Sequence, residues 1–254
     1  MIKILMRIKP YTLIITVIIL IMIYIFNCSG YKKLSILNYL WKRRSDKIFY
    51  NTNLEWCNEL RENYEIIRNE FLKYQQTHLI PTIGQFSKED LQLSDNQTEK
   101  WRSAVLQIYG KETDVSKDFP LSWNIIKKIP GIRTTMFSIL EPNKKIPPHY
   151  GPNNCVLRYH LALIVPKNKE NCTITVGDET KYWEEGKDMI FDDTNLHYVN
   201  NNTNEQRVVL FLDIQKKYNI FFDTFNNLFF SLFQYNSTII EIYNKINNHN
   251  IKLN

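Results

Sequence analysis

No two of the chain's four cysteines have the close spacing that structural zinc sites and redox motifs need. None forms a Cys-x-x-Cys pair, which excludes a zinc ribbon and a thioredoxin-like redox site. A disulfide between Cys155 and Cys172 would require a lumenal, oxidising compartment, and the sequence leaves it open. Glycosylation sequons would also fit a lumenal domain, but asparagine is so frequent that several arise by chance: Asn96, Asn171, Asn201 and Asn236.

Acidic residues are absent from the first 45 positions. That segment carries eight lysines and arginines, more than the whole chain's net charge of +6, so the rest of the chain is net acidic. The basic residues flank one apolar segment instead of covering a folded surface. We therefore expect no nucleic-acid partner.

Charge of either sign is absent from residues 10–28. Nineteen uncharged residues at about 1.5 Å each are enough to cross a hydrocarbon layer of about 30 Å. A cleaved signal peptide is the alternative, but a small-x-small cleavage site is poorly represented. We predict an uncleaved membrane anchor over residues 1–30, followed by a basic juxtamembrane linker over 31–53. Cations at both ends leave the orientation open.

Repeats of 20–50 residues are also absent. Apolar residues recur every three to four positions over 54–72, which predicts an amphipathic helix, and 122–129 predicts a short second one. After residue 133, short β-branched and aromatic runs alternate with turns, predicting strands over 134–140, 156–165, 172–176, 181–183, 188–191 and 207–214. Such strands without intervening helices indicate a sandwich, jelly roll or barrel.

Histidine is scarce, and three of the five histidines lie in this strand-rich part: His149, His160 and His197. Imidazole is the commonest metal ligand. His149 and His197 lie at the edges of strand-like runs and could converge on one ion if those strands pair. Two isolated histidines are more often ordinary polar residues, so spacing alone does not decide between these interpretations.

The alternation of side chains along a strand places Arg158 and His160 on one face of their strand. It also places Arg207, Phe211 and Asp213 on one face of theirs. A charged side chain that faces a core must be paired or bind an anion. The competing interpretation is that each arginine lies at a strand end and reaches water.

Three stretches together resemble the aspartyl/asparaginyl β-hydroxylase family of iron- and 2-oxoglutarate-dependent dioxygenases. They are IPGIRTTMFSIL (129–140), PPHYGPNNCVLRYHLALIVP (147–166) and CTITVGDETKYWEEGKDMIFDDTNLHYVNNNTNEQRVVLFLDI (172–214). The likeness extends roughly over residues 54–214. It implies a mainly β fold, with a double-stranded β-helix (jelly-roll) core and flanking helices after the N-terminal transmembrane helix.

The resemblance also implies roles for individual residues. His149 and His197 would bind Fe(II), and Arg207 would bind the distal carboxylate of 2-oxoglutarate, assisted by Ser138. Arg158 and His160 would contact the iron-binding end of this co-substrate.

Most enzymes of the wider dioxygenase class complete the iron site with a carboxylate two residues after the first histidine. Here that position is Gly151. The family itself lacks this carboxylate, and water takes its place. Asp193 would orient a ligand or this water, although an ordinary turn aspartate is the alternative.

The resemblance implies a hydroxylase that uses O2 and acts on the β-carbon of Asp or Asn in EGF-like protein modules. The alternatives are a hydroxylase of lipid A-type acyl chains, with an acylated lipid as partner, and a catalytically silent jelly-roll binding module. We predict a hydroxylase domain over 54–218, divided into a helical lead-in (54–130) and a jelly-roll core (131–218), and an apolar helical tail over 219–254. The expected location is a secretory-pathway membrane such as the endoplasmic reticulum, with the catalytic domain in the lumen.

Overall fold

The computed structural model describes residues 47–86, 100–151 and 154–253, together with Thr12, Thr16 and Leu20. The prediction of a single-pass membrane protein is corrected by this structure. Within the described part of the chain, no helix combines the length and the apolar character that crossing a bilayer requires. The anchor was predicted over residues that otherwise lie outside the description, and the secretory-membrane location, which depended on it, loses its support.

Most of the described helices lie among the first strands and after the last long one, and the set is α1 (Glu55–Glu62), α2 (Tyr64–Thr77), α3 (Ile83–Phe86), a 3-10 helix (Asp114–Asp118), α4 (Pro120–Ile126), a second 3-10 helix (Lys169–Asn171), α5 (Ile220–Phe233) and α6 (Ser237–Asn248). The single helix predicted over 54–72 is two helices, because Asn63 leaves the helical conformation with φ −97° and ψ 14°. Its apolar spacing still marks the inward face, where Cys57, Leu60, Ile67 and Phe71 are buried.

Antiparallel strands form the centre of the fold: β1 (Phe49–Tyr50), β2 (His78–Leu79), β3 (Trp101–Ile108), β4 (Lys111–Glu112), β5 (Ile132–Leu140), β6 (Lys145–His149), β7 (Val156–Ile164), β8 (Cys172–Val176), β9 (Glu179–Tyr182), β10 (Asp188–Phe191), β11 (His197–Asn201), β12 (Arg207–Gln215) and β13 (Ile251–Lys252). One sheet has the order β1-β10-β7-β12-β5-β3-β4. A second has the order β6-β11-β8-β9, and β13 pairs with β2. The prediction of a mainly β chain with flanking helices is confirmed.

The two larger sheets share one hydrophobic core. Ile174 and Val199 of the four-stranded sheet and Phe137, Leu161 and Leu210 of the seven-stranded sheet are buried in the same cluster. Strands β5, β7 and β12 are adjacent in the larger sheet and are largely buried, which explains their nearly continuous apolar sequences. The two sheets therefore enclose an interior into which side chains from both can point.

The structure bears on two features that would fit a lumenal domain, namely a Cys155–Cys172 disulfide and exposed sequon asparagines. The thiols of Cys155 and Cys172 are not bonded to each other, so the disulfide left open by the sequence is not formed. Two of the sequon asparagines are buried, with Asn201 0% and Asn236 1% exposed. Asn201 donates to backbone carbonyls and Asn236 caps α6, so both side chains already have structural roles.

Candidate functional site

The two histidines singled out in the sequence lie directly opposite each other. His149 ends β6, His197 begins β11, and the two residues are paired in the antiparallel register of these strands. Their ring centroids are 4.0 Å apart. His197 is 3% exposed, and His149 is partly buried. Residues 48 positions apart are thus brought together by the pairing of two short strands.

In each of the two histidines, the ring nitrogen Nδ1 contacts a backbone carbonyl oxygen. Nδ1 of His149 lies 2.8 Å from the carbonyl oxygen of Pro147, and Nδ1 of His197 lies 3.0 Å from that of Asn195. A proton on each Nδ1 satisfies these contacts and leaves the lone pair of each Nε2 available, which is the arrangement that metal-binding histidines use.

The electrostatic surroundings keep both rings neutral. Burial lowers the pKa of His149 below its ordinary value. Burial, followed by the neighbouring His149 and Arg158, lowers the pKa of His197 well below it. A neutral imidazole is the form that binds a metal ion, so the pair is prepared for one at neutral pH.

Next to this pair, the carboxylate of Asp193 fills the space that a side chain on Gly151 would take. A Cβ atom built on Gly151 would lie only 2.2 Å from Oδ2 of Asp193. Asp193 is fully buried, and its Oδ2 lies 3.0 Å from Nη2 of Arg158. Burial raises the pKa of Asp193 to about 6, although Arg158 opposes this shift.

No cluster of three or more histidine, cysteine, aspartate or glutamate side chains suited to a metal ion occurs in the described ranges. The histidine pair with Gly151 and Asp193 matches the predicted two-histidine arrangement, in which the usual third ligand is missing. These residues fit a metal ion that keeps a water molecule in the third position, where a buried carboxylate can accept a hydrogen bond.

Arg207 is a buried cation without a carboxylate partner among the described residues. It is 2% exposed, its Nη1 donates to the carbonyl oxygen of Ser138 at 3.3 Å, and its guanidinium lies 4.7 Å from the ring centroid of Trp183. None of the ion pairs found in the described residues involves it, and its Nε has no hydrogen-bond partner there. Burial lowers the pKa of Arg207 to about 10. A buried guanidinium of this kind favours an anionic ligand.

Further unsatisfied polar atoms lie between Arg207 and the histidine pair. His160 is buried, and neither of its ring nitrogens has a hydrogen-bond partner among the described residues; the same holds for Nε1 of Trp183. The rings of His160 and Trp183 are 6.1 Å apart. Burial, Arg207, Arg158 and His197 together lower the pKa of His160 well below its ordinary value. Buried polar groups are normally paired, so these atoms indicate a polar ligand.

Ser138 lies at the same end of the interior as Arg207. Its backbone carbonyl accepts from Arg207, and its hydroxyl oxygen accepts from Nε1 of Trp101 at 3.1 Å. The hydroxyl proton of Ser138 is therefore free to turn toward a ligand. The pairing of β5 with β12, in which Ser138 is the register partner of Val209, produces this proximity.

Arg158 has more protein contacts than the sequence suggested. Its Nε lies 3.2 Å from Oδ1 of Asp213, its Nη2 contacts Asp193, and its guanidinium lies 4.4 Å from the ring centroid of Phe211. The expected common face of Arg158 and His160 is present, since His160 also contacts Phe211. Arg158 thus joins two acidic side chains beside the histidine pair, whereas Arg207 is ion-paired with no acidic side chain in the part of the chain that the structure describes.

The structure brings all seven predicted site residues to one interior: Ser138, His149, Arg158, His160, Asp193, His197 and Arg207. Sequence reasoning missed Trp183, which stacks under Arg207 and beside His160. A tryptophan after a short exposed strand carries no local signal of this role. Asp213 was placed on the inward face but was not recognised as the partner of Arg158.

A family model described as Aspartyl/Asparaginyl beta-hydroxylase matches residues 61–217. The ornithine lipid ester-linked acyl 2-hydroxylase of Rhizobium tropici is 38% identical over 184 residues, covering 71% of this chain and 64% of that protein. The human aspartyl/asparaginyl beta-hydroxylase is 34% identical over 168 residues, covering 63% of this chain and 21% of that protein. The chain therefore spans less than two thirds of the length of both relatives.

Solved structures similar to part of the chain include a cupin domain of Schizosaccharomyces pombe Cnp3. It is 10% identical, with a TM-score of 0.32, and covers 46% of this chain and 65% of that one. A cupin 2 conserved barrel domain protein from Salinispora arenicola is also 10% identical, with a TM-score of 0.32, and covers 52% of this chain and 83% of that one.

Proposed function

The chain belongs to the aspartyl/asparaginyl β-hydroxylase family, and from this premise we propose that it is an Fe(II)- and 2-oxoglutarate-dependent dioxygenase with a double-stranded β-helix core. One observation carries the proposal. A buried arginine without a carboxylate partner in the described residues (Arg207) and two buried side chains with unsatisfied nitrogens (His160, Trp183) lie beside a pair of neutral histidines. A dianion that also binds a metal ion would satisfy all of them.

2-Oxoglutarate has the required chemistry. Its distal carboxylate would bind the guanidinium of Arg207 and the hydroxyl of Ser138, because a planar, charged fork suits a carboxylate. Its 2-oxo acid end would then point toward the histidine pair, with His160 and Arg158 beside it. The ring of Trp183 would hold the Arg207 guanidinium in place from the other side.

His149 and His197 would hold the iron through their Nε2 atoms. When bound, iron would activate dioxygen, so that 2-oxoglutarate loses CO2 and takes one oxygen atom to become succinate while the second oxygen atom enters a C–H bond of the substrate. The chain's own residues orient the reactants and exclude water. Asp193, in the space left by Gly151, would accept a hydrogen bond from the water in the third position.

The reactions for which the two relatives are named share one chemical feature. An acyl 2-hydroxylase and an aspartyl or asparaginyl β-hydroxylase both hydroxylate a carbon next to a carbonyl group. We propose the same position for this chain. The ester-linked acyl chain of a lipid is favoured by the alignment with higher identity and wider coverage, and the β-carbon of Asp or Asn in an EGF-like protein module is the second candidate. The catalytic unit would comprise residues 54–218.

Mass spectrometry of both substrates tests this proposal. The full-length chain would be given Fe(II), 2-oxoglutarate and air with an ester-acylated ornithine lipid or, separately, with an EGF-like peptide containing Asp or Asn. We expect succinate together with the gain of one oxygen atom on one of the two. Gain on the peptide alone would replace the lipid assignment. Binding of 2-oxoglutarate without succinate formation under any condition would support a silent binding module.

A further inference from the structure

We propose that Lys216 is a positioning residue that fixes the two segments carrying the histidine pair; this inference rests on the proposed function. Lys216 directly follows β12 and is 7% exposed. Its Nζ donates to Oδ2 of Asp192 at 2.6 Å and to Oδ1 of Asn154 at 2.5 Å. Asp192 belongs to the segment before His197, and Asn154 belongs to the segment after His149. One buried ammonium group thus joins both segments.

The contact with Asp192 continues to the ring of His197 through a short series of hydrogen bonds. The other carboxylate oxygen of Asp192 accepts from the backbone N–H of Thr194 at 3.1 Å and from its hydroxyl at 2.6 Å. The carbonyl oxygen of Asp192 accepts from the side chain of Asn195 at 3.1 Å. The carbonyl oxygen of Asn195 in turn contacts Nδ1 of His197. Lys216 therefore stabilises the turn that sets the orientation of this imidazole.

The contact with Asn154 fixes the second segment to the same point. The backbone N–H of Lys216 donates to the carbonyl oxygen of Cys155 at 2.8 Å, and the hydroxyl of Tyr218 donates to the carbonyl oxygen of Asn154 at 2.8 Å. A direct bond also joins the segments, from the N–H of Gly151 to the carbonyl oxygen of Asp193 at 2.7 Å. Lys216 and Tyr218, which follow β12, thus add contacts to the direct bond between the histidine-bearing segments.

A buried ion pair is a poor way to gain stability, because desolvation offsets most of the attraction between the charges. Such a pair can instead fix the relative position of the segments that it joins. The ammonium of Lys216 contacts Asn154 and Asp192 and neither histidine, so it can orient the histidines only through the two segments. Groups that orient metal-binding histidines in this way typically change metal affinity when they are removed.

Metal binding measures this effect without turnover. Mn(II) would be titrated calorimetrically into the metal-free, full-length chain and into Lys216→Met, which keeps the volume but removes the charge. We expect the dissociation constant to rise by about 10- to 100-fold, while the KM for 2-oxoglutarate at saturating iron stays unchanged. Lys216→Arg, which keeps the charge and the donors, should recover most of the affinity.

Arg61→Met is the matched control. It also removes one positive charge from a partly buried ion pair, with Asp188 at 2.5 Å, outside the two segments. We expect lower thermal stability with unchanged Mn(II) affinity. Equal losses of affinity in Arg61→Met and Lys216→Met would overturn the inference, because both would then reflect general destabilisation.

A second variant covers the case in which Lys216→Met does not fold. Thr194→Val removes only the hydroxyl that donates to Asp192, and a smaller loss of Mn(II) affinity is expected. Wild-type Mn(II) affinity in a folded Lys216→Met chain, or in Thr194→Val where Lys216→Met does not fold, would refute the positioning role alone. Failure of the wild-type chain to bind Mn(II) would instead refute the proposed function, and this inference with it.

Discussion

A Cβ atom on Gly151 would lie 2.2 Å from Oδ2 of Asp193, far inside van der Waals contact. The carboxylate of Asp193 therefore occupies the space that any side chain at position 151 would need. The carboxylate that the sequence lacks at position 151 is supplied to the same space by a residue 42 positions later. This relationship explains why position 151 accommodates only a residue without a Cβ atom.

The first prediction concerns this replacement. Gly151→Ala should weaken metal binding and succinate formation, because the new methyl group collides with the Asp193 carboxylate. The double variant Gly151→Asp with Asp193→Gly returns a carboxylate to the usual ligand position and should bind Mn(II) more tightly than Gly151→Ala. Calorimetric titration measures both. A Gly151→Ala chain with wild-type affinity would show that the two residues do not compete for this space.

The second prediction concerns the histidine pair. His149→Ala or His197→Ala should reduce iron-dependent succinate formation to below about 1% of wild type. Each substitution removes one of the only two side chains that would hold the metal. His249→Ala is the control, because the His249 ring also contacts a backbone carbonyl, that of Lys245, but at the end of α6. Full turnover in either of the first two variants would refute the ligand assignment.

The third prediction contrasts the buried Arg207 with the partly buried Arg133. Arg207→Lys should raise the KM for 2-oxoglutarate by about 10- to 100-fold, because lysine cannot reproduce a two-point contact with a carboxylate. Arg133→Lys is the control. Arg133 also lies over an aromatic ring, Phe230, and burial lowers its pKa, but its guanidinium donates to Asn227 and Gln215. Steady-state kinetics with varied 2-oxoglutarate decide the matter, and an unchanged KM in Arg207→Lys would exclude it as the anchor.

The fourth prediction tests the residue that sequence reasoning missed. Trp183→Phe keeps an aromatic face under Arg207 but removes the N–H that lacks a partner in the described residues. We expect an increase of about five- to tenfold in the KM for 2-oxoglutarate, with little change in kcat. Trp56→Phe is the control, since Trp56 packs on Tyr159 through an edge contact. An identical KM in both variants would mean that Trp183 only fills space.

Much of this site could be predicted because its residues carry signals that are unusual in a core. The side-chain alternation in β7 placed Arg158 and His160 together, and their contacts with Phe211 agree. The scarcity of histidine drew attention to His149 and His197, although only the pairing of β6 with β11 brings them together. Neither strand was predicted, because each is only five residues long and polar or proline-containing.

Other features could not be predicted, because they depend on contacts between distant residues. Strand β3 is not among the predicted strands, since it is buried on both faces and loses the alternation that marks a half-buried strand. Lys216 is followed by Lys217 and resembles an ordinary solvated pair; its burial appears only when the segments around Asn154 and Asp192 fold over it. The predicted membrane span relied on local hydropathy alone, and no spanning helix is found in the described part of the chain.

The central claim is that one site binds Fe(II) and 2-oxoglutarate together. Anaerobic titration of 2-oxoglutarate into the iron-loaded, full-length chain tests this claim most directly. A 2-oxo acid chelated to Fe(II) absorbs visible light, so binding is observed without any prime substrate. We predict that the absorption band appears in the wild-type chain, is absent in His197→Ala, and requires more 2-oxoglutarate in Arg207→Lys. A wild-type chain that binds iron and shows no band at saturating 2-oxoglutarate would contradict the account.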